Sequence, residues 1–185
     1  MKELSLNILD ITENSVKAGA TLTEICILES SDELVLTITD NGSGMTEEVL
    51  KGVINPFYTT RTTRKVGMGL PLLKLAAEQT GGKVEISSKH FEKFPNDHGT
   101  KVSALFYKNH IDCVPLGDVV ETVKTLIQGH PNTDFLFIHK IQSGEVVLDT
   151  RELRQMLEDV PLNTYEVIKW IEGYLHEQYS EIQKA

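Results

Sequence analysis

Cysteine is scarce: Cys26 and Cys113 are the only two among 185 residues. That is too few for a disulfide framework or a zinc knuckle. Cys26 lies in an alternating apolar run and reads as a buried, reduced thiol. Long hydrophobic runs are missing too, since no stretch approaches the roughly 20 apolar residues that span a bilayer. Asn7 and Asp10 interrupt the first apolar segment, so it does not read as a signal peptide. The expected location is cytoplasmic, with no membrane partner. Basic residues are in the minority, 18 Lys and Arg against 27 Asp and Glu, for a net charge of −9. General nucleic-acid binding needs a phosphate-neutralising surface and is therefore not expected. One short basic stretch, Arg61 to Lys65, stands apart. Internal repeats and low-complexity segments are absent.

The length suffices for one well-buried core, or a core with a small appendage. Residues 3–18 predict a helix whose apolar stripe includes Leu6, Leu9, Val16, Ile8 and Ile11. Period-2 alternation over 22–29 and 33–39, joined by Ser30-Ser31-Asp32, predicts a hairpin. Thr46 is placed to cap a short helix. Residues 55–69 have no clear period and read as a long loop, of the kind that is usually functional or disordered. A helix ending at Gly81-Gly82 follows, then alternating segments at 83–88 and 100–106. Beyond about residue 110 the character changes. A helix with Val119, Val123, Leu126 and Ile127 on one face precedes two strands around Gln142-Ser143-Gly144. Asp149 with Glu152, and Asn163 with Glu166, are spaced as capping boxes opening two more helices. In the last helix Val167, Trp170, Ile171, Tyr174 and Leu175 form a stripe that reads as core or interface. The chain thus divides into residues 1–110 and a C-terminal α-β-β-α-α extension, 111–185. That extension either continues the main sheet or forms a small protein-binding unit.

Three clusters carry chemistry. Asp10, Asn14 and Lys17 stand at i, i+4 and i+7, which puts a carboxylate, an amide oxygen and an ammonium on one helix face. Such a set suits a magnesium nucleotide, with Asn14 on the metal, Lys17 on phosphate and Asp10 as orienting group or base. A plain solvated helix face has the same spacing. Asp40-Asn41-Gly42-Ser43-Gly44-Met45 follows a strand directly, so a carboxylate at a strand end meets a close-approach glycine turn. It suits an exocyclic amine such as adenine's, and equally an ordinary Asx-Gly turn. Gly67-Met68-Gly69-Leu70 precedes a helix, where free backbone N–H groups favour phosphate. It is neither a Walker-A loop nor a full dinucleotide fingerprint.

In this order the three clusters resemble the boxes of the gyrase, heat-shock chaperone, histidine-kinase and mismatch-repair ATPase superfamily. ITENSVKAGAT resembles the N box, especially its mismatch-repair form, and ITDNGSGM the G1 box. NPFYTT is similar to the F box of histidine kinases, VGMGLPLLK to the G2 box, and Gly99-Thr100 to the short G3 element. The resemblance covers about residues 4–107. It implies the Bergerat ATP-binding fold, an α/β two-layer sandwich of a mixed β-sheet packed on helices, with ATP and Mg²⁺ as cofactors. By the same resemblance Asn14 holds the metal, Lys17 contacts phosphate and Asp40 takes the adenine amine. Gly42, Gly44, Met45 and Thr100 complete the base site, Gly44 and Thr100 by supporting a bridging water. Gly67, Gly69 and Leu70 wrap the phosphates, while Phe57, Thr60 and Arg61 belong to a mobile lid over residues 55–66.

Departures from the pattern matter. The family's catalytic glutamate position, four before Asn14, holds the shorter Asp10, and Glu13 is the alternative base. None of the six histidines stands in the His-Glu or His-Asp context of a phosphoacceptor helix, so a self-sufficient sensor kinase is not expected. The readings left open are a kinase acting in trans on a regulatory protein partner, an ATPase or ATP-driven switch, and a degenerate interaction domain.

Overall fold

The computed structural model describes residues 3–53 and 68–184. Its elements run α1 (Leu4–Lys17), β1 (Leu22–Glu29), β2 (Glu33–Asp40), α2 (Glu47–Gly52), α3 (Gly69–Gln79), β3 (Lys83–Lys89) and β4 (Gly99–Tyr107). The C-terminal part adds α4 (Val119–Gly129), β5 (Asp134–Ile141), β6 (Gly144–Asp149), α5 (Thr150–Leu157) and α6 (Tyr165–Lys184). All six strands form one sheet in the order β3-β4-β2-β1-β5-β6. The β1–β5 pairing is parallel and the other four are antiparallel, so the sheet is mixed, as expected.

Strand alternation explains the two layers. One row across the sheet reads Ile86, Val102, Ile38, Ile25, Phe137, Leu148, and the next Val84, Ala104, Leu36, Ile27, His139, Val146. The apolar side chains of these rows join Leu4, Ile8 and Ile11 of α1, Leu73 and Ala77 of α3, Val123 and Ile127 of α4, and Ile171 and Leu175 of α6 in one core. The opposite face carries exposed Glu24, Lys83, Glu85 and Lys101 with half-buried Cys26 and Thr37. Cys26 is thus only half-buried, because it points away from the helices; burial, then Glu24, still pushes its thiol pKa up.

The C-terminal extension continues the main sheet through β5 and β6. It also completes α1: the first helical amides, of Leu4 and Ser5, donate to the carbonyls of Pro115 (3.0 Å) and Leu116 (2.8 Å). Helix N-termini need such acceptors, and here they come from more than 100 residues downstream in the chain. Three local expectations change. Leu6 is 44% exposed, and the core stripe of α1 is Leu4, Ile8, Ile11, Ser15. Asp149 caps α5 by accepting from Arg151 N rather than from Glu152. The residue directly before α6 is Thr164, not Asn163. Thr46 caps α2 through Val49 N, as its spacing implied. No helix among the described residues is long and apolar enough to cross a membrane.

His139 sits in the core row at 4% exposure. Its Nε2 lies 3.1 Å from Glu29 Oε2 and its Nδ1 2.8 Å from the Tyr179 hydroxyl. Glu29 also accepts from Lys108 Nζ at 2.6 Å. Burial pushes the His139 pKa below its usual value against the pull of Glu29. The neutral ring therefore donates from Nε2 to Glu29 and accepts the Tyr179 hydroxyl at Nδ1, an assignment drawn from this network. Burial likewise pushes Tyr179 up, which keeps its proton in place. Burial alone would raise Glu29, but hydrogen bonds from Lys108 and His139 outweigh it and hold the carboxylate below its ordinary range.

A pH dependence follows. An unfolded histidine takes a proton below about pH 6.5, whereas folded His139 resists it, so stability is full above that pH and declines below it. The limit is about 1.4 kcal/mol per pH unit for one proton. The unfolding free energy from urea titrations between pH 7.5 and 5 should fall by up to this amount per pH unit, and His139→Gln should flatten the decline. Glu29 adds a second loss further down, as pH drops through the carboxylate range.

Candidate nucleotide site

The end of the sheet opposite the His139 network carries a third row: Ser88, Thr100, Asp40, Thr23, Phe135. Asp40, half-buried, is its charged member. Three donors hold its carboxylate: Ser15 Oγ to Oδ2 at 2.7 Å, and the amides of Gly42 (2.9 Å) and Thr100 (3.2 Å) to Oδ1. A carboxylate has about four acceptor positions, so one place remains on the Oδ2 side for an incoming donor. The turn after Asp40 is anchored to α1, because Ser43 N donates to Ala18 O at 2.9 Å. Asn41 accepts from the amides of Thr21 and Leu22 at 2.9 and 3.0 Å, which ties the turn to the start of β1.

Glycine is required where the turn meets β3. Gly44 has φ +68°, and a Cβ there would stand 2.0 Å from the Lys89 carbonyl oxygen. A side chain at Gly42 would press on Ala18 and on Asp40 Oδ1, each at 3.0 Å. Met45 N donates to Ser88 Oγ at 2.7 Å, and Ser88 Oγ lies 2.9 Å from Thr100 Oγ1. Thr100 therefore supports Asp40 through its amide while its hydroxyl belongs to Ser88. His98 Nδ1 lies 2.6 Å from the Gly42 carbonyl and closes the far side of the turn.

On α1, Asp10, Asn14 and Lys17 form one exposed row, as their spacing predicts. The start of α3 packs against it. A Cβ on Gly69 would stand 3.1 Å from Asp10 Cβ and 3.9 Å from Asn14 Nδ2. Gly69 and Leu70 are buried at this junction. The first-turn amides of α3, with their partial positive charge, are thus brought beside the carboxylate and amide of α1. Gly67, Phe57, Thr60 and Arg61 lie outside the described residues.

Glu13, the alternative base expected from the sequence, is engaged with the C-terminal part of the chain. It sits about 100° around the helix from Asn14, and its Oε1 is 2.6 Å from His130 Nε2, just past α4. Its Oε2 is 3.8 Å from Lys17 Nζ. Glu13 is therefore a tie between α1 and the C-terminal part, and Asp10 is the carboxylate facing the Gly69 junction. Lys17 is largely exposed beside Glu13.

Two contributors were missed from sequence, Ser15 and Ser88. Ser15 had a usable signal: it occupies the fourth position of the stripe Leu4, Ile8, Ile11, Ser15, where a hydroxyl in an apolar series needs a buried partner. Ser88 had none, since a strand-end serine is commonplace.

The residues present fit a magnesium nucleotide. A fixed carboxylate with a spare acceptor suits an amine-bearing base, and side chains at Gly42 or Gly69 would fill the cradle. No group of three or more His, Cys, Asp or Glu among the described residues could cage a metal. Magnesium usually takes only one or two protein oxygens and fills the rest of its shell with waters and phosphates, and the Asn14 side-chain oxygen can supply one.

Comparison with known proteins agrees with this geometry. Residues 2–110 match the family model described as histidine kinase-, DNA gyrase B- and HSP90-like ATPase. The chain is 31% identical over 94 residues to the sensor protein KdpD of Clostridium acetobutylicum, covering 48% of this chain and 10% of that protein. It is 28% identical over 89 residues to sporulation kinase C of Bacillus subtilis, covering 48% and 20%. The chain therefore spans a tenth to a fifth of these relatives' length. Among solved structures, the Aquifex aeolicus MutL ATPase domain complexed with ADP superposes with a TM-score of 0.55 at 16% identity, over 85% of this chain and 68% of that one. The N-terminal domain of a DNA repair protein does so at 0.56 and 15%, over 80% and 53%. These two likenesses show a shared fold.

Proposed function

This chain belongs to the family of histidine kinase-, DNA gyrase B- and HSP90-like ATPases, and from that premise we propose that it binds Mg-ATP and uses the γ-phosphate to regulate a partner protein. The observation that carries the reading is the Asp40 carboxylate, pinned by Ser15, Gly42 and Thr100 with one acceptor position spare. Adenine presents an amine donor at C6, where guanine presents an acceptor. Asn14 would hold Mg²⁺, and the α3 N-terminus and Lys17 would receive phosphate. The metal, when bound, neutralises phosphate charge. Asp10 accepts the proton of the attacking hydroxyl or water, and the packing of Gly69 on α1 keeps this carboxylate beside the phosphate-binding turn. A relative named as a kinase supports transfer of the γ-phosphate to protein, and the acceptor in this reading is a histidine or serine on another protein.

A second reading, an ATPase or ATP-driven switch that makes no phosphoprotein, is favoured by the carboxylate at position 10 and the MutL-like fold. Incubation with γ-labelled ATP and candidate partners separates the two, because label moves to protein in the first and only to inorganic phosphate in the second. In both, Asp10→Asn removes the base. Turnover is expected to fall by roughly 10²-fold or more while nucleotide binding persists, as measured by phosphate release or labelling beside calorimetry. Unchanged turnover removes Asp10 from the chemistry.

A further inference from the structure

The C-terminal helices carry a feature that nucleotide binding leaves unused. Between α5 and α6 lies an open groove of about 410 Å³ lined by Leu153, Met156, Leu157, Glu166, Val167 and Trp170. Leu153 and Val167 form its buried floor, while Met156 is 69% and Trp170 50% exposed on its walls. Trp170 is the only tryptophan in the chain and stacks on Tyr174 with ring centroids 5.1 Å apart. Beside it a side chain on Gly173 would meet nothing within 4 Å, so the wall is open to a neighbour. Exposed aromatic and methionine anchors over an apolar floor are what helix-binding grooves present.

The charge around the groove selects the occupant. Glu152 is one turn before Met156 on α5, and Glu166 and Glu177 flank Trp170 at i−4 and i+7 on α6, which places them along the rim. None of the three has an ion-pair partner among the described residues. The nearby cations are engaged: Arg151 grips Asp149 at 2.6 and 2.9 Å, Arg154 holds Asp134 at 2.7 Å, and Lys169 lies over the Tyr165 ring. A second copy of this chain would set acid against acid, and an anionic membrane would be repelled by the same rim. We propose that this groove docks a basic amphipathic helix of a partner protein, its apolar face against Met156 and Trp170 and its Lys or Arg side chains over Glu152, Glu166 and Glu177. The proposal stands whether or not the nucleotide reading does, because it uses no residue of that site.

Trp170 is its own reporter. The full chain is titrated with a tryptophan-free Leu/Lys amphipathic peptide of about five helical turns while Trp170 emission is followed. A saturable one-to-one blue shift is expected, absent with the Leu/Glu peptide of the same pattern. Met156→Asp, at an exposed position, should weaken binding roughly tenfold or more, and Glu166→Lys should also weaken it; melting curves confirm that both variants fold. Met156→Asp makes the surface more acidic, so diffuse charge attraction would instead strengthen with it. The proposal is overturned if the Leu/Lys peptide leaves the emission unmoved or binds Met156→Asp undiminished. It is equally overturned if sedimentation shows a dimer that Met156→Asp dissolves, or if zwitterionic lipid vesicles give the same blue shift.

Discussion

Asp40→Asn is expected to weaken ATP and ADP binding about a hundredfold, close to 3 kcal/mol. The substitution keeps the shape of the side chain and changes only what its two terminal atoms can do. Two backbone amides, of Gly42 and Thr100, converge on Oδ1, so the amide oxygen of an asparagine must take that place. Its NH₂ then falls where Oδ2 was, beside Ser15 Oγ, which can accept from it. The local fold survives, but the atom facing a ligand turns from acceptor to donor and loses its charge. An adenine amine then meets another donor, and hydrogen bonds to charged groups are the costly ones to lose. Calorimetric titration of the variant, beside its melting curve, separates lost affinity from lost structure. Retention of wild-type affinity would remove Asp40 from the base site.

Phe137→Ala should cost about 3–5 kcal/mol of stability, the usual penalty for emptying a fully buried aromatic position. Phe137 lies in β5, yet its neighbours in the sheet are Ile25 on β1 and Leu148 on β6, and it is 1% exposed. The cavity therefore opens in the core shared by residues 1–110 and the extension. If that core is one unit, urea unfolding of both wild type and variant gives a single transition, at the same midpoint by far-UV circular dichroism and by Trp170 fluorescence. A tail that unfolds first, with the rest intact, would show that β5 and β6 are an attachment rather than part of the fold.

These two residues mark the difference between what the sequence makes legible and what it hides. Asp40 could be found because its chemistry is local: a strand ends, an acid follows and glycines allow close approach, all within six residues. Asp10, Asn14 and Gly69 were legible for the same reason, through helix periodicity and a glycine before a helix. Phe137 could be assigned to a strand by alternation, but alternation says nothing of the partner strand, and a parallel pairing with β1 comes from tertiary packing. The tie made by Glu13 was hidden for a related reason. Nothing near it in sequence announces His130, which lies 117 positions away and claims its carboxylate. The caps of α1 were hidden likewise, since their acceptors are carbonyls of residues 115 and 116. Leu6 misled through simple hydrophobicity: the stripe that packs is set by the residues facing the sheet, and Ser15 belongs to it where Leu6 does not.

The decisive experiment compares ATP with GTP in calorimetric titrations of the unmodified protein with magnesium present. A carboxylate acceptor at position 40 predicts one-to-one binding of ATP and about hundredfold weaker binding of GTP, whose base offers an oxygen where adenine offers an amine. Equal affinity for the two, or no heat from ATP at millimolar concentration, would contradict it.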